Sequence, residues 1–368
     1  MFDLIVIGGG PAGTATAITA SRGGARVLLL ERGRFPRHKV CGEFVSSGSL
    51  ALLSVLLISE HAALLGNAIR IPRARIFLDG RTLETPVAPP AVSIARLDLD
   101  AALWESAEKC GVEARQQIAV QGVQGNGPFL VATSAGNFEA HALVSASGRW
   151  SNLNPPANGN VLNHKPRQKW LGLKAHFAEA SPPVSVDLYF FDGGYCGVQP
   201  VELRGGDPAR GLVNACAMVR ANVASTLAEV FARHPTLLER SRQWRPLSEP
   251  VSTSPLIFGD PQPERDNILI AGDAAGFVDP FVGDGISLAL RSGALAAHSL
   301  APFVRRQTSL AAAASQYRRS YERQLAPVFR ASSKIRRMLR LPRAVRAPML
   351  FLLESAPPVT RYLVRNTR

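Results

Sequence analysis

Gly8, Gly10 and Gly13 stand at the spacing G-x-G-x-x-G, between an apolar run, Leu4-Ile5-Val6-Ile7, and an alanine-rich stretch from Thr14 to Ser21. In such a setting the first glycine allows a tight turn, the second lets the backbone approach a pyrophosphate, and the third lets a helix pack close to a strand. Pro11 and Ala12 open that helix, whose free N–H groups and dipole favour negative charge. Glu31, followed by Arg32, closes the next apolar run. A carboxylate there can accept hydrogen bonds from ribose hydroxyls and would repel a 2′-phosphate. The chemistry implied is the binding of a dinucleotide.

Two more groups could act on a ligand. Gly272-Asp273 follows the apolar run Ile268 to Ala271 and leads through Pro280 to Gly283-Asp284-Gly285-Ile286. Cys41-Gly42-Glu43 follows a basic loop that contains His38. Cys41 reads either as a small packed residue or as a thiol beside a ligand. Glu43 reads as a buried proton source or a surface charge. His38 belongs to the basic loop or helps to bind phosphate, and Tyr195 lines a cavity or fills a sheet core. These alternatives stay open in the sequence.

The elements that would position these residues follow from hydrophobic pattern. Strand, glycine turn, helix and strand occupy about residues 2–31. An apolar helical stretch runs to about Leu65, and residues 69–95 read as short strands with turns at Asp79-Gly80 and at Pro86, Pro89 and Pro90. Asp98 to Lys109 is amphipathic. Short strands continue to Ser145, and a Pro/Asn/Gly-rich link covers Ser151 to Pro166. Strand-like runs at 171–177, 184–191 and 211–219 predict a second sheet. Helices are predicted over 227–242 and 284–299, with a helical tail broken at Pro327, Pro342, Pro348 and Pro357/Pro358.

With 368 residues and 46 % hydrophobic composition, the chain can bury a large core and is not a disordered polar protein. Its four cysteines are scattered, so neither a disulfide framework nor a metal site is expected. A strand-like start at Phe2 argues against a secretory signal, and no apolar run approaches the ~20 residues of a spanning helix. The expected location is the cytoplasm. Net charge is +14. Fifteen basic and two acidic residues lie from Phe303 onward, so the tail carries nearly all of it. Over 329–353, cations and apolar side chains alternate at helical spacing, which suits either an anionic membrane surface or packing on the body with solvated arginines. Base-stacking aromatics are too few for nucleic acid.

The two glycine motifs together resemble the FAD site of the p-hydroxybenzoate hydroxylase-like flavoproteins. By that resemblance Asp273 holds the ribityl chain or nearby phosphate, and Pro280 with Gly283, Asp284, Gly285 and Ile286 lies along the isoalloxazine. Phe35-Pro36-Arg37-His38-Lys39-Val40-Cys41-Gly42-Glu43, Arg96-Leu97-Asp98, and Gly194-Tyr195-Cys196-Gly197-Val198-Gln199-Pro200 resemble the geranylgeranyl reductase and flavin-dependent halogenase branch, with the Cys-Gly pair closer to the reductases. Arg96 then supports the cofactor, and Cys41 and Gly42 contact it. Where the aromatic hydroxylases carry an Asp-Gly motif, this chain has Ala146-Ser147-Gly148-Arg149. Gly148 keeps a place at the cofactor, and the reductant stays open between NAD(P)H and a reduced carrier, which includes an electron-donor protein.

The resemblance implies an α/β protein: a Rossmann-type FAD-binding domain (1–70, 96–165 and 250–300), an inserted antiparallel β-sheet substrate domain (71–95 and 166–249) and a helical basic C-terminal region (301–368). It implies an FAD-dependent oxidoreductase that reduces carbon–carbon double bonds of a hydrophobic prenyl, polyene or polyketide-type substrate by hydride from the flavin N5. Cys41, Glu43 and Tyr195 are the catalytic candidates. The alternatives are a monooxygenase or halogenase acting through a flavin C4a-hydroperoxide, and an electron-transfer flavoprotein without a substrate of its own.

Overall fold

In the computed structural model, residues 1–149, 169–203 and 211–339 are described. The predicted link at 151–166 and the tail beyond Leu339 lie outside them. In chain order the elements are β1 (Phe2–Ile7), α1 (Pro11–Arg22), β2 (Val27–Glu31), β3 (Phe44–Val45), α2 (Leu50–Leu56), α3 (Ala62–Gly66), β4 (Ile69–Leu78), β5 (Arg81–Ser93), α4 (Arg96–Lys109), β6 (Glu113–Gln116), β7 (Val120–Gln124), β8 (Phe129–Thr133) and β9 (Gly136–Ser145). Then come β10 (Trp170–Ala178), β11 (Val186–Phe191), β12 (Gly194–Pro200), β13 (Leu212–Arg220), α5 (Leu227–Phe231), α6 (Pro235–Ser241), β14 (Arg245–Pro246), β15 (Val251–Thr253), β16 (Glu264–Arg265), β17 (Ile268–Ile270), α7 (Gly285–Val304), α8 (Leu310–Gln324) and α9 (Ala326–Leu339).

The first sheet has the order β16-β17-β9-β1-β2-β6, with β7 and β8 extending antiparallel from β9. β17, β9, β1, β2 and β6 are parallel. The parallel strands β1 and β2 are continuous apolar runs because both faces are covered, and every residue of β2 is buried. Helix α1 lies between this sheet and α7. A Cβ at Gly293 would meet the Ala12 carbonyl oxygen at 2.1 Å, and Thr16 Oγ1 donates to the Gly293 carbonyl at 3.0 Å. Small residues let the two helices nearly touch.

The second sheet runs β14-β10-β13-β12-β11-β4-β5-β3, with β15 on β10. It is antiparallel except where β11 meets β4 in parallel. Residues 44–45, well inside the first nucleotide-binding segment drawn from the sequence, and 251–253, at the start of the last, pair into this sheet. The β4–β5 hairpin turns at Asp79-Gly80, both at positive φ, as such two-residue turns require. The prolines behave differently from expectation. They make no further turns, and β5 runs on through Pro86, Pro89 and Pro90, with the ladder register shifting between Ile71 and Arg73. Proline lacks a ladder donor and is tolerated at such irregularities.

Register decides the two faces. Leu173, Ala175, Phe177, Val198, Val213 and Ala215 form one core under α5 and α6. Their neighbours on the opposite face look toward the first sheet. The predicted single helix over 227–242 is two, α5 and α6, separated just before Pro235, which occupies the first turn of α6.

Candidate active site

A cavity of about 1000 Å³ separates the two sheets. One wall is the carboxyl ends of β1, β9 and β17, contributed by Ile7-Gly8, Ala146 to Arg149 and Ala271-Gly272-Asp273. Ligands bind at that end of an open parallel sheet because the chain reverses there and the following helix termini face outward. Gly8 has φ +104°, and a Cβ on it would meet the Ala146 carbonyl oxygen at 2.3 Å. A Cβ on Gly13 would meet the Gly8 oxygen at 1.7 Å. Gly10, by contrast, lines the cavity and a Cβ there would meet no protein atom within 4 Å. The turn is therefore closed on the protein side and open on the cavity side, as a backbone cradle for a pyrophosphate must be.

Glu31 is buried in this wall. Its Oε2 accepts from Gly9 N at 2.9 Å, and its Oε1 from Gly33 N at 2.7 Å and Arg37 Nη2 at 2.9 Å. The carboxylate thus pins the glycine turn to β2 and keeps acceptor capacity toward the cavity it lines. Arg32, Pro11, Ala12, Cys41, Gly42, Arg96, Gly148, Gly272, Asp273, Pro280, Gly283, Gly285 and Ile286 also line the cavity. Asp273 faces Arg149 at 3.7 Å. Desolvation raises its carboxyl above the usual range, against the pull of Arg149, Arg96 and Lys39. Two expected site residues stand behind the wall. Gly13 serves the packing of α1, and Asp284 is buried, its Oδ1 accepting from Ser46 Oγ at 2.8 Å. It anchors the start of α7, and its neighbours Gly283 and Gly285 face the cavity. The residues present fit an FAD: an open phosphate cradle, an acidic group at each end and a backbone-lined strip at the start of α7.

The other wall is the second sheet's inner face. Register sets three rows across it. Gly172, Met218, Tyr195 and Phe190 are aligned, then Lys174, Cys216, Gly197 and Leu188, then His176, Asn214 and Gln199. The first row is apolar and joins an aromatic cluster with Trp170, Phe277 and Phe281. The last row is polar. Tyr195 lines the cavity and is also packed into that cluster, so both of its sequence readings hold. Burial pushes its phenol well above the usual range, which keeps it neutral.

Glu43 plugs the polar row. It has φ +60° and is fully buried, an arrangement non-glycine residues adopt only when their surroundings fix it. Its Oε1 accepts from Arg96 N at 2.8 Å and Lys174 Nζ at 2.5 Å, and its Oε2 bonds His176 Nε2 at 2.7 Å. Gln199 Nε2 donates to the Glu43 carbonyl at 3.1 Å, and Asn214 Nδ2 to the Cys41 carbonyl at 3.0 Å. Burial alone would raise the Glu43 carboxyl, but the His176 hydrogen bond and the Lys174 charge hold it below the usual range. The surface-charge reading of Glu43 is excluded. Cys41 accepts from Glu43 N at 3.3 Å on sulfur, and its sulfur lies beside the Arg96 guanidinium, which is held bidentate by Asp100 at 2.7 Å on both arms. Lys174, His176, Gln199 and Asn214 were not foreseen. Their signal was present: single polar residues within otherwise apolar strands, with Lys174 and His176 two apart on β10.

The sequence profile of the FAD-dependent oxidoreductase family matches residues 3–50. The chain is an FAD-dependent oxidoreductase. It is 25 % identical to digeranylgeranylglycerophospholipid reductase 3 of Methanosphaera stadtmanae over 314 residues, 80 % of this chain and 76 % of that protein. Its fold superposes on a geranylgeranyl bacteriochlorophyll reductase-like protein of Thermoplasma acidophilum with a TM-score of 0.75 at 19 % identity, covering 96 % of this chain and 91 % of that one. A flavin-dependent brominase gives 0.76 at 19 % identity, over 100 % and 93 %. The oxidoreductase therefore has the Rossmann-type fold shared by the reductase and halogenase branch. Among its described residues no helix is long and apolar enough to cross a membrane.

The tail begins as a packed element. On α9, Val328 and Phe329 are buried, Ile335 lines the cavity, and the Arg336 guanidinium sits 4.0 Å over the Phe258 ring. Arg330, Lys334 and Arg337 are exposed. The stretch 340–353 of the basic segment lies outside the described residues.

Proposed function

We propose that this oxidoreductase reduces carbon–carbon double bonds of a hydrophobic prenyl-type lipid. The observation that carries the reading is the cavity itself: a dinucleotide cradle on one wall faces an apolar strip made by Ile76, Val87, Leu188, Gly197 and Met218 on the other, closed by Phe281 from the segment before α7. An isolated alkene is a poor hydride acceptor, so the protein must hold it in position and exclude water. The aromatic and aliphatic strip does both. Reduced FAD bound in the cradle supplies hydride. Cys41 and Tyr195 border the reacting space, Cys41 beside Arg96 and Tyr195 as a neutral phenol. The relative's name, a reductase of digeranylgeranylglycerophospholipid, supports a polyprenyl substrate. The reductant is NAD(P)H or a reduced carrier, and the exposed cations of α9 support docking to an anionic lipid surface.

Anaerobic reduction followed by mixing with a geranylgeranyl phospholipid tests the reading. Loss of the reduced-flavin absorbance without air, with a product two hydrogens heavier per double bond, is the expected result. Flavin that reoxidises only with oxygen, with incorporation of oxygen or halide into substrate, would replace it with the monooxygenase or halogenase reading that the brominase-like fold also accommodates.

A further inference from the structure

Reduction of an alkene needs a proton as well as a hydride, and the polar row of the second sheet holds a chain of groups suited to deliver one. Glu43 Oε2 bonds His176 Nε2. A carboxylate only accepts, so His176 carries its proton on Nε2 and presents a bare Nδ1 in the neutral ring. That Nδ1 is buried and has no hydrogen-bond partner. The His176 ring meets the His38 ring edge to face, centroids 5.4 Å apart. The Nδ1 of His38 is likewise buried and unpartnered, and His38 lines the cavity. Two buried, unsatisfied imidazole nitrogens cost free energy, yet both are retained where a ligand cavity meets a buried carboxylate.

We propose that His38 exchanges the substrate's proton and that His176, Glu43 and Lys174 are the positioning chain behind it, an inference that rests on the double-bond reduction reading. The hydride bonds to one alkene carbon, and the electron pair of the double bond takes the proton of the His38 imidazolium at the other. The N–H bond breaks and its pair stays on the ring. Neutral His38 regains a proton from solvent on the cavity side that it lines, and the external two-electron donor, NAD(P)H or a reduced carrier, replaces the hydride. The groups facing His38 are Lys174 and His176 of β10, Glu43 before β3 and Asp98 of α4. Burial lowers its pKa first, then the Lys174 charge, against Glu43 and Asp98. A lowered pKa makes the imidazolium a stronger acid.

The test uses the oxidised holoenzyme labelled in its histidine rings, followed by NMR titration, and the anaerobic single turnover described above over a range of pH. Lys174→Met is expected to raise the His38 titration midpoint and Glu43→Gln to lower it, each by ~0.5 pH unit or more. His38→Gln is expected to slow substrate-driven reoxidation by ~100-fold or more and to remove the His38 ionisation from its pH profile. His176→Asn is expected to slow it less and to shift the pH profile. If the wild type reduces the lipid while His38→Gln keeps its rate and pH profile, the proton assignment is overturned and the reduction reading stands. If the wild type reduces no alkene, the reduction reading falls and takes the proton's destination with it. Should His38→Gln not fold, the His176→Asn profile and the paired titration shifts decide, and a His38 midpoint indifferent to both charge changes overturns the chain.

Discussion

Glu43 shows how much one buried side chain can organise. It ties a cavity loop to α4 through Arg96 N and to the second sheet through Lys174 and His176. Glu43→Gln leaves Lys174 buried without its counter-charge, and a loss of about 3–5 kcal/mol is expected in denaturant unfolding. The pH dependence has a definite sign. A carboxyl whose folded pKa lies below its ordinary value near 4.5 contributes stability above that value and loses it as pH falls through the folded one. The wild type should therefore lose stability on acidification below about pH 4.5 more steeply than Glu43→Gln. The cysteines separate in the same manner. Burial pushes the Cys196 thiol up to about 12, while Cys41 is half-buried in the cavity beside Arg96. Brief maleimide treatment near neutral pH should modify Cys41 before Cys196, and FAD should protect it. Equal labelling of the two by mass spectrometry would refute the contrast.

Among the elements, the first β-turn-α unit makes the sharpest prediction, because its glycines do different jobs. Gly8 and Gly13 have no room for a Cβ inside the protein, and Gly10 has room only toward the cavity. Gly10→Ala should keep the wild-type melting temperature and weaken FAD binding tenfold or more, which is about 1.4 kcal/mol. Gly13→Ala should lose both, because α1 can no longer seat against the turn. Fluorescence titration of apoprotein with FAD, alongside thermal unfolding, separates the two. The second sheet carries its own consequence. Its alternation sends Leu173, Ala175 and Phe177 into one core and Gly172, Lys174 and His176 toward the cavity, so a one-residue slip would exchange core for site.

At the level of the whole molecule, charge is segregated: a near-neutral body carries a tail that holds nearly all of the +14. Arg330, Lys334 and Arg337 are exposed on α9, while Ile335 of the same helix reaches the cavity wall. A lipid delivered at that helix would arrive beside the apolar strip. Replacing the three cations with glutamate should abolish sedimentation with anionic vesicles while leaving bound flavin unchanged, and wild-type binding should weaken as salt rises. Binding that is flat with salt would count against an electrostatic surface.

The nucleotide half was legible in the sequence because its constraints are local. A glycine spacing, an apolar strand before it and an acid after it act within thirty residues, and backbone sterics leave them one arrangement. Asp284 was legible only in part, since a turn's sequence does not say which of its residues faces inward. The second-sheet half of the cavity depended on tertiary structure. Glu43 is ionised because Lys174 and His176 arrive from a strand more than 130 residues away, and His176 meets His38 only when β10 crosses that loop. Strand alternation marked Lys174, His176, Asn214 and Gln199 as polar residues among apolar ones. Which face they shared, and what carboxylate they would surround, was decided by sheet register and by the packing of one sheet over the other.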